Sequence, residues 1–495
     1  MADVEKLGSP SVRSRPIGHP ETQFDLSPAQ DSTPPLKGLT WYHKLEAYLV
    51  SHNLESRGIR RVDPSERHDT KNLGYLQVGL LWFSINLAAN NITLGMLGPV
   101  VFSLGFRDAA LLAVFGAIVG CIPVAYIATF GPRSGNRTLV VARYAMGWWP
   151  AKLIVLLNII VSTGYSMIDA VVAGQILSAV SPANSLSIIV GIVIVSVLTW
   201  LITIFGYRIV HYYERYAWLP QIVAVSVLAG VSARHFDISS PTTGDTALTR
   251  TGNRLSFFSL NLSAAITYGG AAADYFVYYP ESTPKWKVFS ATMAGLTTSF
   301  TYAFIIGIGL GSGVASIPAW SDAYNTSQGA LIVQGFAPVG GFGKFCSVLI
   351  ALGLVANMIP PTYSSGVDFQ ILGTAIARVP RVVWNTVIVV IYTVCAIAGR
   401  NHLAEIFTNF LALMGYFVAI WMAVQVEEHV LFRYLGGRGW NWEAWDDRSK
   451  LPVGVAALVA FLVGWAGAVS FCCAVLRCAV PFLLLASCFL LCFVL

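Results

Sequence analysis

Charge is what this chain has least of. Its 495 residues carry 31 Lys and Arg and 25 Asp and Glu, 11% of the total, against about 25% in soluble globular domains. So small a stock cannot cover the water-facing surface of a protein this size, which excludes an ordinary soluble enzyme. Cysteine offers no disulfide framework. Cys121, Cys346 and Cys395 stand singly in apolar runs, and the other five crowd into the last 24 residues. Also missing are a phosphate-cradling Gly loop with a following Lys, a paired-His zinc helix and a nucleophile elbow. That argues against an ATP-driven pump and against common hydrolases, and His211, His402 and His429 show no metal-ligand spacing. No cofactor or metal is expected. The start of the chain lacks the charged-then-apolar pattern of a cleaved signal peptide. The formal charge of +6 is no nucleic-acid signal, because the cations lie in small groups between apolar runs.

What is present is apolar: 55% of residues, with a mean hydropathy of +0.64. This points to an all-α polytopic membrane protein. Residues 1–70 differ from the rest, rich in Pro, Ser and charge, and read as a disordered tail with a short amphipathic helix over Trp41–Glu55. Residues 71–450 hold a ten-helix core with its loops, and 451–495 hold two further helices with a Cys-rich end. From Tyr75 onward, twelve apolar segments are each long enough to cross a hydrocarbon core of about 30 Å. They lie near 75–99, 109–130, 150–180, 186–205, 216–233, 256–279, 289–311, 342–372, 382–399, 404–432, 453–476 and 479–495. With the amino terminus inside, 24 of the 31 cations fall on the inner side, so the positive-inside rule puts both termini in the cytoplasm. Asn325, in an Asn-Thr-Ser tripeptide, then falls in an outer loop as a glycosylation candidate.

In lipid, polar or helix-breaking residues are tolerated where protein or a watery cavity covers them. Four segments carry such residues. The first holds Ser84, Asn86, Asn90, Asn91 and Thr93, and Asn competes with helical backbone for hydrogen bonds; unwinding is expected, with polar glue between helices as the alternative. The sixth carries Gly269-Gly270 and, further on, Asp274, which is either a helix-end residue or a gate. The double Gly favours a break, although close helix packing would also use it. Interruptions at matching places in two halves of a chain point to a transporter's binding site. The third segment places Tyr165 and Asp169 on one helix face. A carboxylate at mid-membrane costs about 2.5–3.5 kcal/mol, so Asp169 should face inward, binding substrate or the coupling proton, or pairing structurally with a neighbouring helix. The eighth contains Asn357 and Pro360-Pro361, which should disrupt the helix and free carbonyls, with or without a ligand. The glycines Gly307, Gly309, Gly311 and Gly313 of the seventh allow tight helix approach, and Glu214 suits a loop ion pair with Arg208 or Arg215.

Several motifs resemble the nucleobase–cation symporter family 1, in its fungal purine–cytosine permease branch. They are Leu94–Pro99, Gly164-Tyr165 through Gly174-Gln175, Ala272–Tyr275, and Asn357–Pro360 with Tyr363. The resemblance spans about residues 70–470. It implies a leucine-transporter-like five-plus-five inverted repeat with broken helices 1 and 6, and proton-coupled uptake of cytosine and purines at the plasma membrane. It further implies that the base lies between Tyr165 and Tyr268, with Asp169 and Asn357 reading its edge. Two positions depart from the family: Asp169 stands where Asn or Gln is usual, and Pro361 where Asn is. An ionised Asp169 only accepts hydrogen bonds, whereas an amide pairs both ways. The base itself therefore stays open, with a pyridoxine, uracil or allantoin type of solute as the alternative, and a non-transporting nucleobase sensor as a reading of another class. After Phe471 the sequence leaves the family pattern for a Cys-rich stretch, as a shifted reading frame or retained intron would produce.

The expected site thus comprises Ser84, Asn86, Asn90, Asn91, Tyr165, Asp169, Tyr268, Gly269, Gly270, Asn357 and Pro360, with Asp169 and Asp274 as proton-coupling or gating residues. Its partners would be a small nucleobase and the lipid bilayer, without nucleic acid. The coupling ion would be a proton.

Overall fold

The computed structural model describes residues 58–67, 74–181, 185–204 and 207–475. The expected Trp41–Glu55 helix, the twelfth apolar segment and Cys478, Cys488 and Cys492 lie outside these residues. So do the side chains of Arg208, His211, Glu214 and Arg215. Every regular element among the described residues is helical.

The chain runs through α1 (Tyr75–Asn86), α2 (Ala89–Val100), α3 (Phe106–Ala128), α4 (Thr138–Met146), α5 (Pro150–Val180), α6 (Ile188–Ile204), α7 (Tyr207–Ser232) and α8 (Ala247–Ile266). Two 3₁₀ turns follow at Thr267–Ala271 and Asp274–Phe276. Then come α9 (Lys285–Gly313), α10 (Pro318–Thr326), α11 (Gln328–Gly335), α12 (Gly340–Ile371), α13 (Arg381–Gly399), α14 (Leu403–Glu427) and α15 (Val455–Val475). Among the described residues, six helices are long and apolar enough to cross a membrane, and the bent pair α1/α2 makes a seventh. α6 and the first part of α15 are apolar but shorter.

Two interruptions shape the interior. α1 and α2 meet at a bend of 57°, with Ala88 in extended backbone between them. The sixth segment leaves the α-helix at Thr267, two residues before the glycine pair, and no α-helix resumes until Lys285. The eighth segment behaves differently: α12 runs unbroken through Pro360 and Pro361, contrary to the expected disruption. Hydroxyls support this stretch, with Thr362 Oγ1 donating to Met358 O at 2.7 Å and Ser365 Oγ to Pro361 O at 2.7 Å. Neighbouring helices and Ser or Thr side chains commonly carry a proline through a buried helix in this way.

α5 packs along α12, α8 along α3, and α9 along α2 and α3. The α2–α9 seam depends on absent side chains: a Cβ on Gly307 would sit 1.9 Å from Ile92 O, so only glycine lets these backbones come so near. Within the stretch expected as tail, residues 58–67 are seated on the loop before α4. Val62 N donates to Gly135 O at 2.9 Å and Arg61 Nε to Ser134 O at 2.8 Å.

Candidate functional site

The bend between α1 and α2 is built by its own amides. Asn86 Nδ2 donates to Trp82 O at 3.1 Å, and Asn91 Nδ2 donates to Asn86 O at 2.7 Å. Asn90 Oδ1 accepts from Asn91 N at 2.7 Å, and Thr93 Oγ1 donates to Asn90 O at 2.7 Å. The Asn91 side chain thereby supplies Asn86 O with a donor where the helix stops, and the Asn86 and Thr93 side chains back-bond within their own turns. Asn86 and Asn91, expected to line the site, therefore turn their NH₂ groups to the main chain. Asn86 Oδ1 remains buried without a partner. Ser84 is buried at the end of α1.

Around this bend the third, sixth and eighth segments converge. The ring centroids of Tyr165 on α5 and Tyr268 in the first 3₁₀ turn lie 6.4 Å apart at 49°, within the range of direct ring contact, about 4.5–7 Å. Tyr165 is fixed by a 2.7 Å hydrogen bond between its hydroxyl and Thr267 Oγ1. Tyr268 also meets Trp82 edge-on at 6.2 Å and Phe300 at 5.9 Å, which brings the two helix interruptions together. One turn from Tyr165, Asp169 is fully buried. Asn357 Nδ2 of α12 donates to its Oδ2 at 2.9 Å, and the Asn90 side chain stands alongside. Asp169 Oδ1 accepts no hydrogen bond, and Trp82 Nε1 is likewise buried without a partner. An unpaired acceptor and an unpaired donor here leave hydrogen-bonding capacity that a polar solute or water can use.

Not every expected residue joins this cluster. Gly269 and Gly270 are packing positions: a Cβ would lie 2.4 Å from Met422 Sδ on the first and 1.9 Å from Asn158 Oδ1 on the second. Pro360 is half-buried in the unbroken α12. Asp274 serves another place, accepting from Thr138 N and Thr138 Oγ1 at 2.7 Å each and from Arg137 Nη1 at 3.2 Å. It thereby caps the N-terminus of α4, where a carboxylate is electrostatically favoured. Asn325 is exposed near the end of α10, a short helix within the connection between α9 and α12.

A helical bundle with two interrupted segments, an aromatic cluster and a buried carboxyl–amide pair has known relatives. The family model described as a permease for cytosine/purines, uracil, thiamine and allantoin matches residues 62–474. The chain belongs to this permease family. Among its relatives are the vitamin B6 transporter TPN1 of Saccharomyces cerevisiae, 34% identical over 465 residues, with 84% of this chain and 80% of that protein covered. Another is the purine-cytosine permease fcyB of Emericella nidulans, 33% identical over 457 residues, with 91% and 88% covered. Two structures of Mhp1, a nucleobase-cation-symport-1 family transporter, share the fold. The closed form with bromovinylhydantoin bound gives a TM-score of 0.63 at 14% identity, covering 88% of this chain and 94% of Mhp1. The inward-facing form gives 0.65 at 13%, covering 89% and 93%. The permease is thus a multi-pass membrane protein of the nucleobase–cation symporter family 1, in its fungal branch, and its relatives are permeases, not enzymes.

One buried carboxyl of the permease does not figure among the residues picked from the sequence. Asp368 of α12 is 3% exposed, and Asn158 Nδ2 of α5 donates to its Oδ2 at 3.0 Å. The pairing is reciprocal to that of Asp169 and Asn357. In α5 an Asn precedes an Asp by eleven residues, and in α12 another Asn precedes another Asp by the same interval. Eleven residues make close to three helical turns, so each Asn and Asp share one face. The repeated interval in two apolar segments is the signal that would have found them.

Proposed function

We propose that the permease is a secondary active transporter, a proton symporter that imports nucleobases such as cytosine, adenine, guanine or hypoxanthine across the plasma membrane. The observation that carries this reading is the Tyr165–Tyr268 ring pair set one helical turn from the Asp169–Asn357 pair, at the junction of two interrupted segments. Aromatic faces hold a flat ring, at about 1–3 kcal/mol for each stacked base, and the carboxyl–amide pair reads its edge. The rings touch each other here, so a base enters by parting them. Asp169 has one acceptor to spare, for a ring N–H or for the coupling proton.

In this reading the chain crosses the membrane twelve times, with both termini in the cytoplasm and the first ten helices forming an inverted repeat. Breaks in the first and sixth segments support the repeat, as do the reciprocal Asn–Asp pairs between the third and eighth. Segments 1, 2, 6 and 7 then rock against 3, 4, 8 and 9, giving alternating access. Uptake of labelled cytosine, adenine and hypoxanthine in permease-deficient cells, with and without a proton gradient, tests the proposal. Proton-dependent accumulation of a base supports it. Saturable binding without accumulation would make the protein a sensor instead.

A second reading is transport of a pyridine alcohol of the vitamin B6 type. Asp169 favours it: an acceptor-only carboxylate suits a solute rich in O–H and N–H donors better than a base with a mixed edge. The likeness to TPN1, named a vitamin B6 transporter, leans the same way. Competition of purine uptake by pyridoxine separates the two.

A further inference from the structure

We propose that Asp368, held by Asn158, is a second proton-binding site of the permease, which holds a proton while the cytoplasmic end is sealed and releases it when that end opens. The inference rests on the symport reading above and adds the place where the proton leaves.

Three observations carry it. First, Asp368 and Asp169 occupy equivalent positions in the reciprocal α5–α12 seam, each with an Asn of the opposite helix on its Oδ2. By helix geometry the two carboxyls stand about 16 Å apart along that seam. The seam therefore carries one carboxyl beside the ring pair and another toward the end marked by Asp274. Second, the charges facing Asp368 belong to parts that must move if that end opens. They are Asp274 of the interrupted sixth segment and Arg137 of the loop before α4, with Arg143 of α4 one turn away, donating to Ile371 O at 3.2 Å. Asp274 is presently committed to Thr138 and Arg137. Third, the Asn158 side chain is wedged between Asp368 and Gly270, where even a methyl group would overlap it. A shift of the sixth segment thus removes the backbone that backs this amide against Asp368.

The proton balance is simple. In the sealed state the Asp368 carboxyl is neutral, avoiding the cost of charge at membrane depth. When the sixth segment withdraws from Asn158, water reaches the carboxyl and its O–H bond breaks, giving a carboxylate and a hydronium ion on the cytoplasmic side. Because the sealed and open states then differ in proton affinity, the cytoplasmic proton concentration biases the opening.

The test compares proton-driven accumulation with counterflow, in which labelled solute exchanges for unlabelled solute with the carrier still protonated. In Asp368→Asn the ratio of accumulation to counterflow should fall about tenfold or more, within the usual range of coupling between sites. Exchanging the pair, Asn158→Asp with Asp368→Asn, returns a carboxyl to the seam and should restore much of the ratio. The proposal is overturned if Asp368→Asn keeps the wild-type ratio, or if both activities vanish together and the exchanged pair restores neither. Should Asp368→Asn fail to reach the membrane, the exchanged pair is read alone: a displaced pH profile of accumulation supports the site, and an unchanged one removes it. If wild type itself exchanges solute but never accumulates it when an inward proton gradient is imposed, the symport reading falls instead.

Discussion

At the scale of single residues, the proposed reading turns on Asp169. Its Oδ2 is taken by Asn357, and its Oδ1 is buried and open. Asp169→Asn replaces a lone acceptor by a group that donates as well. We expect the competition panel to shift toward bases with mixed edges, by about tenfold or more in relative affinity, since unpaired buried groups dominate discrimination. An unchanged panel would remove Asp169 from the binding site. Tyr165→Ala and Tyr268→Ala should each weaken solute affinity by about 1–3 kcal/mol, measured by inhibition constants for labelled-solute uptake. That Asp169 and Asn357 lie inside the bundle was legible because polar side chains stand out inside apolar runs, whereas the Tyr165–Tyr268 pairing came from the family resemblance. Asp368 was not. It lies only a few residues from the end of its segment, where a carboxylate reads as an ordinary boundary residue, and its depth emerges only from the Asn158 contact.

The element scale separates two kinds of helix breaker. Interruptions in the first and sixth segments were visible in advance because Asn clusters and paired glycines give the backbone something better to do than continue as a helix. The bend indeed uses three Asn side chains to satisfy it. Two prolines in α12 gave the opposite result, since a proline removes a donor without supplying another conformation, and flanking hydroxyls keep the helix intact. Gly270 shows what the sixth segment pays for its close fit. Gly270→Ala should cost about 1–3 kcal/mol, as overpacking usually does, because its methyl meets Asn158. A lower melting temperature in detergent, together with impaired uptake, is the expected result. If Asn158→Ala in the same background recovers the melting temperature, the overlap is its cause.

For the whole molecule, orientation follows from cation counts along the sequence, while the helix positions follow from runs of apolar residues. The helix positions among the described residues were readable because the bilayer imposes one length scale on every segment, whereas the orientation stays part of the proposed topology. The arrangement of residues 58–67 was not readable, since that stretch is polar and its order comes from contacts with the carbonyls of Ser134 and Gly135 at the end of the short helix Phe130–Ser134. With Asn325 exposed at the end of α10, the proposed topology puts it outside the cell. Glycosidase treatment of the protein from eukaryotic membranes should then increase its gel mobility, and Asn325→Gln should abolish that shift. An unshifted wild-type band from a glycosylating host would count against the outer placement.

The α5–α12 seam looks the same when turned end for end, Asn facing Asp at both levels. The surroundings break that likeness, since one pair lies beside the aromatic rings and the other toward the Arg137–Asp274 contact. In the proposed cycle the two levels are therefore latches of one make, each sprung by a different trigger.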